Sequence, residues 1–168
     1  MSTPAAANAV PPEVVSVPIG RWAVARAPVT LRTLLGSCLG VILHDRHSRV
    51  GGLAHVVLPD SRGSADHPGK YADTAIPALL ADLAKTLGTR TAPRVTAKLF
   101  GGASMFQQSS PAMDIGRQNC EAVEQVLTGL GVLVLARDVG GETGRRLTFD
   151  TQTGIVTVKI PGGAEYDV

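Results

Sequence analysis

At 168 residues, with 44% hydrophobic and 18% charged side chains, the chain is long enough to bury a core and too apolar to remain disordered. A net charge of +2, carried by scattered basic residues that never interleave with aromatics, argues against a nucleic-acid surface. Two cysteines are too few for a secreted disulfide framework, and no stretch approaches the ~20 apolar residues of a membrane span.

Residues 1–12, MSTPAAANAVPP, lack the charged start and continuous apolar stretch of a signal peptide and read as a flexible tail. Residues 13–168 are then expected to form one domain of a cytoplasmic monomer without membrane insertion. From Glu13 to Thr30 the sequence breaks into short extended pieces at Pro18, Gly20 and Pro28. Leu31 to Leu35 leads into Gly36-Ser37 and then into an apolar run, Cys38 to Leu43, which reads as a buried strand. Val50 to Leu58 is a second strand, and the polar turn from His44 to Arg49 makes the two a hairpin.

Pro59 to Lys70 is a polar loop. Tyr71 to Leu87 repeats apolar residues at three and four positions and predicts a helix stopped by Gly88, with Pro77 disturbing its start. Val95 to Phe100 is a strand ending at Gly101-Gly102. Ile115 to Leu130 is a second helix, N-capped by Asp114. Val132 to Ala136, Arg146 to Asp150 and Ile155 to Ile160 complete the strands. Runs of strands with two intervening helices predict an α/β (α+β) class fold, a layered, strand-rich single domain.

Cys38 follows a glycine-bounded turn at the mouth of a strand, where open backbone N–H groups would hold an oxyanion and favour a thiolate. The competing reading is a small hydrophobe in the core. His55 stands in an otherwise apolar strand and either reaches the thiol across the hairpin, as its base, or is a core histidine bonded to backbone. His44, Asp45, His47, His55 and Cys38 include acceptable metal ligands, but their spacing completes no zinc pattern. No metal and no cofactor are expected. The glycine-rich pieces at 101–104 and 140–144 match no phosphate-binding fingerprint and read as turns that can frame a cleft. Cys120 falls within the second helix's pattern and reads as a packing residue.

Five pieces in order carry a resemblance: Leu35-Gly36-Ser37-Cys38, Ala54 to Pro59, Pro68 to Ala75, Gly101 to Phe106, and Ile115-Gly116-Arg117-Gln118-Asn119. Together they resemble the CheD family of chemoreceptor glutamine deamidases, from about Pro18 to about Gly163. The resemblance implies a deamidase-like sandwich and a Cys-His-Thr catalytic set. It gives Cys38 the nucleophile's role, His55 the base's, and Thr33 the third, orienting place. Some members carry that threonine one residue further from the cysteine, where this chain has Arg32, and Thr30 is a more distant alternative. The implied reaction turns receptor glutamine into glutamate through a thioester, with receptor methyl-ester hydrolysis as a secondary activity. Implied partners are methyl-accepting chemotaxis receptors and a CheC-type phosphatase; Met105 and Phe106, apolar residues beside a glycine turn, either contribute to such a protein-facing surface or are core residues at a strand end. The alternative is a non-catalytic module that regulates such a phosphatase or a receptor.

Overall fold

The computed structural model describes residues 10–105 and 114–168. In chain order these form β1 (Val14–Ser16), β2 (Trp22–Arg26), β3 (Thr30–Leu35), β4 (Leu39–Asp45), β5 (Val50–Val56), a 3-10 turn (Pro68–Lys70) and α1 (Ala72–Leu87). There follow β6 (Thr96–Gly101), α2 (Ile115–Gly129), β7 (Leu133–Val139), β8 (Arg145–Asp150), β9 (Val156–Lys159) and β10 (Glu165–Asp167). The strands make two five-stranded sheets, ordered β1-β3-β8-β9-β10 and β2-β5-β4-β6-β7.

The burial of each strand tells which layer it occupies. Along β4, every residue from Leu39 to His44 is buried, because both of its faces are covered. Ile42 packs with Leu31, Leu35, Leu53, Phe100 and Phe149 between the two sheets. Leu39, Val41 and Leu43 pack with Ile76, Leu79 and Leu127 under the helices. In β3, by contrast, Leu31, Thr33 and Leu35 are buried while Arg32 and Leu34 are exposed, the alternation of a sheet with one face in water. The layers are therefore sheet, sheet and helices. Gly52 permits the close approach of the last two, since a Cβ there would stand 2.5 Å from Leu79 Cδ1.

The expected α+β class, the β4–β5 hairpin and both helices are present, the hairpin pairing Leu39 with Val56 through Asp45 with Val50. Pro77 does not interrupt α1, where it lies on the exposed side. Asp114 caps α2 by accepting from Arg117 N at 3.1 Å. β5 ends sooner than expected, because the N–H groups of Val57 and Leu58 turn to the carbonyl of Lys70 in the 3-10 turn. β7 runs on to Val139. Of the expected tail, residues 1–9 lie outside the described residues, and residues 10–12 are exposed.

Candidate active site

Three elements from both sheets converge at one end of the inter-sheet layer. Alternation along β3 turns Thr33 inward and Arg32 outward, so the threonine and not its neighbour faces the second sheet. On β5, His55 lies directly opposite Gly40 of β4. Cys38, two residues before Gly40, packs into the inter-sheet cluster and is thus a diagonal neighbour of His55 on the same face. Diagonal positions in an antiparallel pair lie about 7–8 Å apart along the backbone, within reach of long side chains. Leu35 and Leu147 close over Gly40, where a Cβ would stand 2.8 Å from Leu35 Cδ1 and 3.0 Å from Leu147 Cδ1.

Thr33 Oγ1 donates to the carbonyl of Val17 at 2.8 Å and lies 2.9 Å from His55 Nδ1. A hydroxyl has one proton to give. With that proton on Val17, the contact to the ring must run from Nδ1–H to Oγ1. The imidazole is then the Nδ1–H tautomer, and Nε2 carries the free lone pair. His55 itself is anchored through its backbone, its N–H donating to Arg21 O and its carbonyl accepting from Gly20 N.

Burial sets the protonation of both groups. It lowers His55 to about 4 and raises the Cys38 thiol, an effect opposed by the cysteine's own backbone N–H. Burial thus favours the neutral form of each group, and at Cys38 it opposes the thiolate that nearby N–H donors would favour.

The 36–38 loop is held from two sides. Gly102 N donates to Cys38 O at 2.9 Å and Ala103 N to Gly36 O at 3.0 Å. From α2, Asn119 Nδ2 donates to Ser37 O at 3.3 Å and to Val57 O at 2.9 Å. The 140–144 turn also frames the site: Gly141 O accepts from Ser104 N at 2.8 Å, and Arg145 ties the turn down through Asp138 and the carbonyl of Gly140. Beside His55 opens a recess of about 240 Å³ lined by Ile19, Gly20, Arg21, Val57, His67 and Lys70.

Other candidates separate from this centre. Thr30 lies at the far end of β3, opposite Asp150. His44 is buried against Phe149, its Nε2 2.8 Å from Thr151 O. Asp45 accepts from the N–H groups of His47 and Ser48 and closes the hairpin turn. Met105 is half exposed and lies over Gly36, where an added Cβ would meet its sulfur at 2.6 Å. Phe106 is outside the described residues.

The family model described as CheD chemotactic sensory transduction matches residues 57–160. A probable chemoreceptor glutamine deamidase CheD of Methanococcus maripaludis (strain C6) is 46% identical over 147 residues, 87% of this chain and 94% of that one. The chain belongs to the CheD family. The chemoreceptor glutamine deamidase CheD of Thermotoga maritima is 45% identical over 148 residues, 88% of this chain and 92% of that one.

The family match starts at Val57, beyond Thr33, Cys38 and His55. The longer matches cover so much of the chain that they necessarily span all three positions. For a CheD-family chain, the asparagine at the end of the Ile115–Asn119 segment gains a physical place, against the loop that carries Cys38. Among the described residues, no three His, Cys, Asp or Glu side chains gather as metal ligands, and no helix is long and apolar enough to cross a membrane.

Proposed function

We propose that this CheD-family chain deamidates glutamine side chains of chemotaxis receptors, with Cys38 as nucleophile, His55 as general base and acid, and Thr33 as the group that orients the imidazole. The observation that carries the reading is the Val17–Thr33–His55 hydrogen-bond chain, which leaves Nε2 as the basic nitrogen on the face that holds Cys38. The names of the relatives supply the substrate class.

In the proposed reaction His55 Nε2 takes the proton of Cys38 as sulfur attacks the glutamine side-chain carbon. The carbonyl oxygen becomes an oxyanion within reach of the Cys38 N–H. The imidazolium returns its proton to the amide nitrogen, the C–N bond breaks, and ammonia leaves. Water then gives a proton to the same nitrogen, attacks the thioester, and releases glutamate and the thiol. A receptor methyl ester would react by the same steps with methanol as leaving group. A CheC-type phosphatase docking over half-exposed Met105 would touch the nucleophile loop directly. The tail at 1–12, the single domain at 13–168, the cytoplasmic setting and the monomer belong to the same proposal.

Mass spectrometry of receptor cytoplasmic fragments tests it. Incubation with the wild type should add about one mass unit at particular glutamines, a change lost with Cys38→Ala and His55→Ala. Fragments left unmodified by wild-type protein that nonetheless binds them would remove the enzyme reading in favour of a regulatory module.

A further inference from the structure

The Ile115–Asn119 segment ends in a polar side chain with no exposed surface. Asn119 sits on the buried stripe of α2 with Val123 and Leu127, where an apolar residue would continue the packing. Its Oδ1 is buried with no hydrogen-bond partner, a costly arrangement. Packing alone gives no reason for an amide here. The two carbonyls that its Nδ2 holds do, because they flank the thiol. Ser37 precedes Cys38 in the chain, and the register that pairs Leu39 with Val56 brings Val57 beside Cys38.

A trans peptide is planar, with its C=O and N–H pointing in opposite directions. Holding the Ser37 carbonyl toward α2 therefore turns the Cys38 N–H away from the helix. That N–H lies close enough to the cysteine's own sulfur to favour its charged form, and so within reach of an oxygen on a carbon bonded to that sulfur. The neighbouring carbonyls of Gly36 and Cys38 are already held by backbone donors of the 102–103 turn. The middle carbonyl of the three is held by a side chain. Helix and turn are locked together at Gly116, where a Cβ would stand 2.3 Å from Gly102 O, and Asn119 follows one turn later.

We propose that Asn119 is a positioning residue that fixes the Ser37–Cys38 peptide, so that the Cys38 N–H is aimed at the oxyanion of the tetrahedral intermediate. The inference rests on the deamidase reading and adds how its transition state is stabilised. Because the charge on that oxygen exists only as the reaction proceeds, losing the alignment lowers kcat and leaves KM nearly unchanged.

Asn119→Leu tests this, since it keeps the side chain's outline, adds no charge and removes both donors. Deamidation of a receptor fragment should lose about 100-fold in kcat, the loss seen when an oxyanion donor is removed, with KM within about threefold by the same reasoning. Alkylation of Cys38 by iodoacetamide forms no oxyanion, and its plateau rate at high pH, where the thiol is fully ionised, should stay within about twofold of wild type. Asn119→Ser returns one short donor and should fall between the two. If Asn119→Leu does not fold, as read by circular dichroism and thermal melting, Asn119→Ser carries the comparison alone. Wild-type kcat in a folded variant would overturn the proposal. So would parallel losses of turnover and alkylation, which would mean that the thiol itself had moved. Wild-type protein without turnover would sink the deamidase reading and this inference together, whereas wild-type turnover with an indifferent Asn119→Leu would sink the inference alone.

Discussion

Thr33→Val isolates the orienting hydroxyl, because valine keeps the branched shape and removes the oxygen. Two buried groups lose their partner: the carbonyl of Val17, at 2.8 Å, and His55 Nδ1–H, at 2.9 Å. An unmet buried donor or acceptor costs about 1–3 kcal/mol. The loss at Val17 falls on stability and leaves the reaction barrier alone. At His55 it falls on the barrier, since the ring no longer gains by keeping its proton on Nδ1 and can place it on Nε2, which then cannot accept from sulfur. A barrier raised by about 1.4–2.7 kcal/mol is a rate loss of about 10- to 100-fold. Single-turnover deamidation of a receptor fragment, followed by mass spectrometry, reads that loss in the chemical step. Thr33→Ser keeps the oxygen and should retain most of the rate. Thr33→Val within about twofold of wild type, or Thr33→Ser as slow as Thr33→Val, would refute the hydroxyl's role.

Three further outcomes follow from the same geometry. Alkylation of Cys38 by iodoacetamide should rise with pH through a midpoint above the ordinary thiol value, with Cys120, held at about 11, reacting later; a Cys38 midpoint near neutrality would mean a resting thiolate. His55 is neutral at pH 7 in the folded chain and mostly so in the unfolded one, and as pH falls through 6.5 the unfolded chain binds the proton first, the folded one only near 4. Stability present above 6.5 is therefore lost across that window, by about 2–3 kcal/mol, and urea titrations of His55→Gln should show a shallower acid decline than wild type. Arg145→Met leaves Asp138 without the guanidinium that meets Oδ1 at 2.6 Å and should cost about 3 kcal/mol of stability, read from the denaturation midpoint; an unchanged midpoint would show that the pair and the 140–144 turn do not depend on it.

Much of the fold was legible because its periodicities are local. The apolar run of β4 and the three-and-four spacing of α1 both follow from which faces are covered, and both were readable without the partner elements. β1 and β2 are two of the extended pieces read between Glu13 and Thr30, but β10 was not legible, since its three residues carry too little pattern and owe their state to pairing with β9. At the site, Cys38 and His55 stand out as reactive side chains in apolar strands. Thr33 rested on resemblance, with Thr30 as the alternative; β3 sets Thr33 against His55 and Thr30 at its far end. The burial of the thiol gave no signal: open N–H groups can be counted along a sequence, but the surrounding sheets that desolvate the sulfur cannot. Val17 gave no signal at all, because it contributes a backbone carbonyl.

The same desolvation that favours a protonated Cys38 defines what the rest of the site must do. Burial disfavours both charged forms, thiolate and imidazolium, so in the proposed reaction charge would arise only as proton transfer accompanies attack on the substrate amide. Interactions that strengthen at that moment then lower the barrier. The bond from Nδ1–H to Thr33 becomes charge-assisted once Nε2 is protonated, and donation from Thr33 to Val17 polarises the hydroxyl into a better acceptor. A neutral hydroxyl stabilises an imidazolium less than a carboxylate would, in keeping with a histidine near 4. That weak base is a strong acid when protonated. In the proposed reaction the difficult leaving group is an amide nitrogen, which departs only after receiving a proton, so an imidazolium eager to release one suits the step that follows attack. The buried histidine gives up basicity in the first half of acylation and gains acidity in the second.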